Sequence, residues 1–262
     1  MVELGADAAR VAAFAARPSR RVLSHSIPGA PVDTVLRALT YRGEAEPGFR
    51  STSWISALAW IALNDDERRM WRAMRASARR RNEWLLGRVV VKDAVRSWLV
   101  RSHQLVVGPR SVSIATTGAG APYVDHIVGL TEGALPNISL AHSSRTIVAA
   151  AGPGSFGLGV DVESRDRPID VLARALGADE QGFVESARLQ VIDALAAKEA
   201  ASKALGIGLG GSLRRWPIRG FRAGPAPALL IDPPDGHDGQ VTVELLTVGG
   251  NVVAVAKCEP HH

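Results

Sequence analysis

At 262 residues, with a hydrophobic share of 46% and six tryptophans, the chain suits one large domain or two closely packed halves and is too apolar to remain disordered. A net charge of +5 and a pI near 10.0 favour an acidic partner, whether nucleic acid, a phosphorylated small molecule or an acidic protein. The single cysteine, Cys258, excludes an internal disulfide framework and a Cys-rich zinc site, which fits a reducing cytoplasm.

The N-terminus, acidic at the start with Arg10 and Arg17 following, lacks the basic-then-apolar order of a secretory signal. Residues 1 to about 60 read as a short Ala-rich helix and then a variable segment or linker, broken by Pro18, Pro28, Pro31 and Pro47. From Trp54 to Val100 the pattern is helical, and Asn64-Asp65-Asp66 supplies an N-cap and first-turn acids. Val91, Val95, Trp98 and Leu99 recur at helical spacing and should face a core, while the opposite face is crowded with arginine.

Beyond Leu105 the spacing changes to short strands: "LVVG", "SVSIAT", "GAPYV", "NISLAH" and "TIVAAAG". The apolar run from Ile147 to Val160 is interrupted by Gly152, Pro153, Gly154 and Gly157 and cannot span a membrane. The strand "LGVDVES" then precedes a helix-forming segment, Ile169 to Arg188, and the long helix ending in "AAKEAASKALGIGLGG". The strands "WPIRGF", "ALLI", "QVTVELL" and "NVVAVAK" close the chain as a meander. Helix-then-strands occurs twice, which predicts two similar α+β halves, residues 61–155 and 156–262.

Asp161 and Glu163, two apart on a strand, project from one face. Two adjacent carboxylates stay ionised together only beside a cation, and oxygen-only ligands suit magnesium; a solvated strand end is the plainer alternative. Glu199 and Lys203 share a helix face, a spacing common in weak surface pairs, with Lys198 beside them. Gly206 reads as a helix C-cap rather than part of a dinucleotide fingerprint, because that motif places the strand first. His142, at a Ser-rich turn, could donate to a phosphate or cap the turn. Ser143 and Ser144 lack the Gly-x-Ser-x-Gly elbow of a serine hydrolase. The arginines from 68 to 81 form a basic helical run, a solvated face or a phosphate-binding one.

In this order the segments resemble the 4'-phosphopantetheinyl transferase superfamily. "GVDVE" at 159–163 and "KEAASK" at 198–203 match its two signatures at the expected separation, and "WLLGRVVVKDAVR", "GAPY" and "NISLAHS" resemble its first-half helix, Gly-x-Pro element and Ser-His turn. The length resembles the surfactin-type branch. The resemblance implies an α+β fold of two pseudo-symmetric halves, each a small antiparallel sheet packed with a long helix, with the active site in the cleft between them. It also implies a cytoplasmic, monomeric, magnesium-dependent enzyme that moves the phosphopantetheine arm of coenzyme A onto a serine of an acidic acyl or peptidyl carrier protein, releasing adenosine 3',5'-bisphosphate. By the same resemblance Asp161, Glu163 and Glu199 are the metal ligands, Lys203 and Lys198 contact the pyrophosphate, and His142 holds the 3'-phosphate end of the nucleotide.

Three positions depart from the family pattern: Ala141 precedes His142, Ala121 sits inside the Gly-x-Pro element, and Leu195 replaces an aromatic residue before the Lys-Glu pair. Within the resemblance, these departures shift coenzyme A contacts to Arg88, Arg81 or the earlier arginines. A nucleic-acid-binding protein using the arginine-rich helix is the alternative from another class, predicting steep salt dependence and no need for the carboxylates; the transferase reading expects no nucleic acid. A transferase domain excised from a megasynthase, with residues 1–60 as former linker, would do the same chemistry.

Overall fold

A computed structural model describes residues 24–27, 29–31, 33–41, 52–167, 176–224, 227–234, 237 and 239–258. The protein is a mixed α+β molecule with antiparallel sheets. The expected Ala-rich helix near the start and residues 169–175 of the Ile169–Arg188 segment lie outside the described residues. Among the described residues no helix is long and apolar enough to cross a membrane.

The strands β1 (His25–Ser26), β2 (Val35–Thr40), β5 (Asn137–Ser143) and β6 (Thr146–Gly152) form a first sheet in the order β1-β2-β6-β5. A second sheet has the order β7-β11-β10-β9-β8, from β7 (Gly157–Ser164), β8 (Ile218–Arg222), β9 (Ala228–Ile231), β10 (Val241–Val248) and β11 (Asn251–Cys258). β3 (Val112–Thr116) and β4 (Pro122–Ile127) form a separate hairpin. The helices are α1 (Thr52–Ala62), α2 (Asp65–Ala73), α3 (Ala78–His103), α4 (Ala178–Ser186) and α5 (Val191–Ala204).

Strand alternation sorts the apolar side chains into three cores. Ile147, Ala149 and Ala151 of β6 join α1 and α3 in the first, whereas Val148 and Ala150 turn to the other face. There they meet Leu158, Val160 and Val162 of β7 and Val253 and Val255 of β11. The opposite face of β11, Val252, Ala254 and Ala256, packs under α5. The layers therefore run helix, sheet, sheet, helix.

The N-terminal segment is not a linker where it is described. β2 pairs along its length with β6, and Ile55, Leu58, Ala59 and Ala62 of α1 enter the first core. Its prolines and glycines concealed a strand whose partner lies more than a hundred residues away. The helical stretch from Trp54 to Val100 is three helices: Asn64 caps α2 through a capping box with Glu67, and the Ser77 hydroxyl accepts from Arg80 N–H to start α3. "LVVG" is not a strand. Leu105 and Val107 pack on the first core, but the Val107 carbonyl is taken by Arg96 Nε at 2.8 Å rather than by a neighbouring strand.

One set of contacts occurs twice. In α2 the capping-box residue Glu67 accepts from the N–H groups of Asn64 and Ile114 and pairs with the buried Lys92 of α3. In α4 the third residue, Glu180, accepts from the N–H groups of Gly177 at the helix cap and of Ile218, and pairs with the buried Lys198 of α5 at 2.6 Å. Each pair ties a short helix to the long one and to the strand after it. Buried charges are tolerated because every oxygen and ammonium has a partner.

Candidate functional site

The residues of "GVDVE" sit on β7, an edge strand, with α5 lying across it. Gly159 sets that approach: a Cβ there would stand 1.9 Å from the Ala200 carbonyl oxygen and 2.6 Å from the Ala204 nitrogen. Two residues on, the same face carries Asp161, opposite Ala254 of β11 and buried at 4% exposure. Lys203 reaches across from α5, donating to Asp161 Oδ1 at 2.7 Å and to the Val160 carbonyl at 3.1 Å. Gly206, at φ +71, ends the helix as expected: its N–H meets the Lys203 carbonyl and the Ile207 N–H meets that of Ser202, a Schellman closure that holds the turn bearing Lys203.

Asp161 Oδ2 is buried without a hydrogen-bond partner. Burial, opposed by Lys203 and reinforced by the charges of Glu199 and Glu163, pushes the Asp161 pKa up to about 7. A desolvated carboxylate with one free oxygen and a second carboxylate close by is a site short of positive charge. Asp161 and Glu199 thus suit a hard dication with oxygen ligands, which commonly takes one or two carboxylates and completes its shell with water and phosphate.

The expected trio of ligands is not gathered, and among the described residues no three His, Cys, Asp or Glu side chains form a group that could hold a metal. Glu163 follows the alternation onto the same strand face, but its carboxylate is engaged elsewhere. Oε1 accepts from Arg167 Nη1 at 2.6 Å and Oε2 from the Ser143 hydroxyl at 3.1 Å.

Lys198 is also diverted. It is fully buried, donating to the Leu213 carbonyl and paired with Glu180, with its pKa lowered by burial against the opposing effect of that carboxylate. Helical geometry separates it from the face holding Lys203. Its place in "KEAASK" conceals this, because adjacent helical residues point about 100° apart.

His142 lies near the end of β5, the edge strand beside β7. Its ring is electrostatically linked to Lys203: desolvation first and that ammonium second lower its pKa, while Glu83 of α3 raises it. The neutral imidazole is therefore favoured at neutral pH. Arg88 is buried, donates to Thr116 Oγ1 at 3.0 Å, lies over Trp84, and leaves its Nε without a partner. Arg81 is half-buried near the start of α3, its carbonyl accepting from Trp71 Nε1.

No family model matches the chain, and no curated protein matches it.

The arginine run is partly neutralised. Arg68 is buried, paired with Asp65 and donating to the Trp60 and Leu63 carbonyls, and Arg69 and Arg79 pair with Asp66 and Glu83. Sequence reasoning did not single out Ser143, Arg167 or Glu180 as partners of the site residues. Glu180 alone had a local signal, as the third residue after a helix cap. The first sheet also has a counterpart of the site: Arg37, opposite Ala149 on β2, donates to Ser97 of α3 at 2.9 Å where β7 and α5 have Asp161 and Lys203. The Arg37–Ser97 pair joins a guanidinium to a hydroxyl, whereas the Asp161–Lys203 pair joins a carboxylate to an ammonium.

Proposed function

We propose that the protein is a 4'-phosphopantetheinyl transferase, moving the phosphopantetheine arm of coenzyme A onto a serine of an acidic acyl or peptidyl carrier protein. The observation that carries this reading is the desolvated Asp161, with one oxygen free, held by Lys203 beside Glu199 on the α5–β7 crossing. The contact set built twice around Glu67–Lys92 and Glu180–Lys198 supports the two-half architecture of that family.

Asp161 and Glu199 would hold magnesium, which when bound neutralises the pyrophosphate being split. Lys203 donates to the leaving phosphate, where negative charge grows as the bond to the attacked phosphorus breaks. Glu199 takes the proton of the incoming serine hydroxyl onto a carboxylate oxygen, since that hydroxyl is a poor nucleophile at neutral pH. His142, neutral and able to donate through one ring nitrogen, meets the 3'-phosphate end of the nucleotide. The +5 net charge suits carriers that present acidic helices around their serine.

The test is incubation of the folded protein with coenzyme A, magnesium and a panel of apo carrier proteins, with intact mass as readout. A gain of one phosphopantetheine on at least one carrier is expected. No gain on any carrier sinks the proposal.

A further inference from the structure

Among the described residues β5 and β7 end their respective sheets and run side by side, so each has one row of backbone groups outside a ladder. Two serines of β5 close that seam. Ser139 Oγ accepts from the Val160 N–H at 2.9 Å, and the Ser143 hydroxyl donates to Glu163 Oε2 at 3.1 Å. Between these bridges Lys203 covers the Val160 carbonyl. Glu163 is 8% exposed, and its second oxygen is bound to Arg167, which lies just beyond the end of β7. Two carboxylates two residues apart on one strand are thus used differently. Asp161 keeps an oxygen free, whereas Glu163 has none free of a strong donor.

We infer that Glu163 is a positioning residue and not a metal ligand: with Ser143 and Arg167 it fastens the edge of β7 to the edge of β5, holding His142 and Asp161 in fixed relation across the seam. This rests on the transferase reading for what is positioned, but the fastening itself does not. Releasing Glu163 for a metal would break a hydrogen bond between the sheets and leave Arg167 without its carboxylate, while Asp161 Oδ2 has no hydrogen bond to give up.

The experiment titrates manganese, a spectroscopic substitute for magnesium, into wild-type, D161N, E199Q, E163Q and S143A proteins by electron paramagnetic resonance, with hydrogen exchange of β5 and β7 measured on the same metal-free samples. D161N and E199Q should weaken binding by more than the roughly 10–100-fold that outer partners of a metal site are worth. E163Q and S143A should stay close to wild type in manganese affinity, yet exchange faster at residues 139–143 and 158–163. S143A removes only the cross-strand bond and covers the case in which E163Q folds poorly. Loss of manganese affinity in E163Q equal to that of D161N, or exchange at the seam unchanged in both latch variants, overturns the inference. Wild-type protein that binds no manganese even with coenzyme A present refutes the transferase reading instead, and the exchange measurement still decides the latch.

Discussion

On the proposed transferase reading, Asp161 is the residue on which stability and activity pull in opposite directions. Its folded pKa of about 7 lies above the ordinary value of 3.8, so the folded, metal-free protein keeps a proton that the unfolded chain gives up. The stability this group contributes is present below pH about 4 and is lost as pH rises through about 7. In chelator, the melting temperature of wild-type protein should therefore fall from pH 5 to pH 8 more than that of D161N, which should be the more stable of the two at pH 8 by a few degrees. The same D161N protein should transfer no phosphopantetheine. A D161N profile parallel to wild type in calorimetry would place the titration elsewhere. Lys203→Ala should slow transfer by about 10²–10³-fold, the usual cost of removing one preorganised donor at a developing charge, read as kcat/KM on a carrier that accepts the arm.

At the scale of elements, the crossing of α5 over β7 decides whether a site exists. A methyl group at Gly159 would collide with the α5 backbone at the Ala200 carbonyl, and a helix main chain has no rotamer with which to yield. Gly159→Ala should cost about 3 kcal/mol or more in urea denaturation and abolish transfer even where folded protein is recovered, because lifting α5 separates Lys203 from Asp161. The buried ion pairs act on the same elements from beneath. Lys198→Ala leaves Glu180 charged and unpaired under α4, which should destabilise by about 3–5 kcal/mol, and Glu180→Ala should do the same from the other side. If Lys198 instead reached the pyrophosphate, its loss would show in the KM for coenzyme A with little change in the denaturation midpoint.

Across the whole molecule the two larger sheets share one apolar interface, so neither sheet stands free of the other. Residues 156–258 expressed alone would expose Leu158, Val160, Val162, Val253 and Val255, all buried between the sheets in the intact chain. Size-exclusion chromatography with light scattering should find that fragment aggregated or paired with itself, whereas a folded monomer would mean that the interface between the sheets contributes little. The same interface explains why residues 24–41 belong to the structure: Ile27, Leu36 and Ala38 complete it from the N-terminal side.

Local signals were enough for the parts of the protein whose partners are near in the chain. Asn64 and Glu67, three apart, define a cap; Gly206 after an alanine-rich helix defines its end; alternation in "LGVDVES" places Asp161 and Glu163 on one face; and the two charged motifs suggest the chemistry. Partners distant in sequence were beyond such signals. Hydrogen bonding to β6 makes a strand of Val35–Thr40 inside a proline-rich segment, and among the described residues no strand pairs with "LVVG", which stays a connector. Charge at the site divides in the same way. The sequence by itself determined which residue types stand on β7 and α5, because period 2 and period 3.6 follow from backbone geometry. Only the tertiary structure decided that Lys198 turns to Glu180, that Glu163 turns to Ser143 and Arg167, and that Asp161 is left with an oxygen to spare. A side chain takes the partner that packing brings within reach, and packing joins residues that the chain keeps far apart.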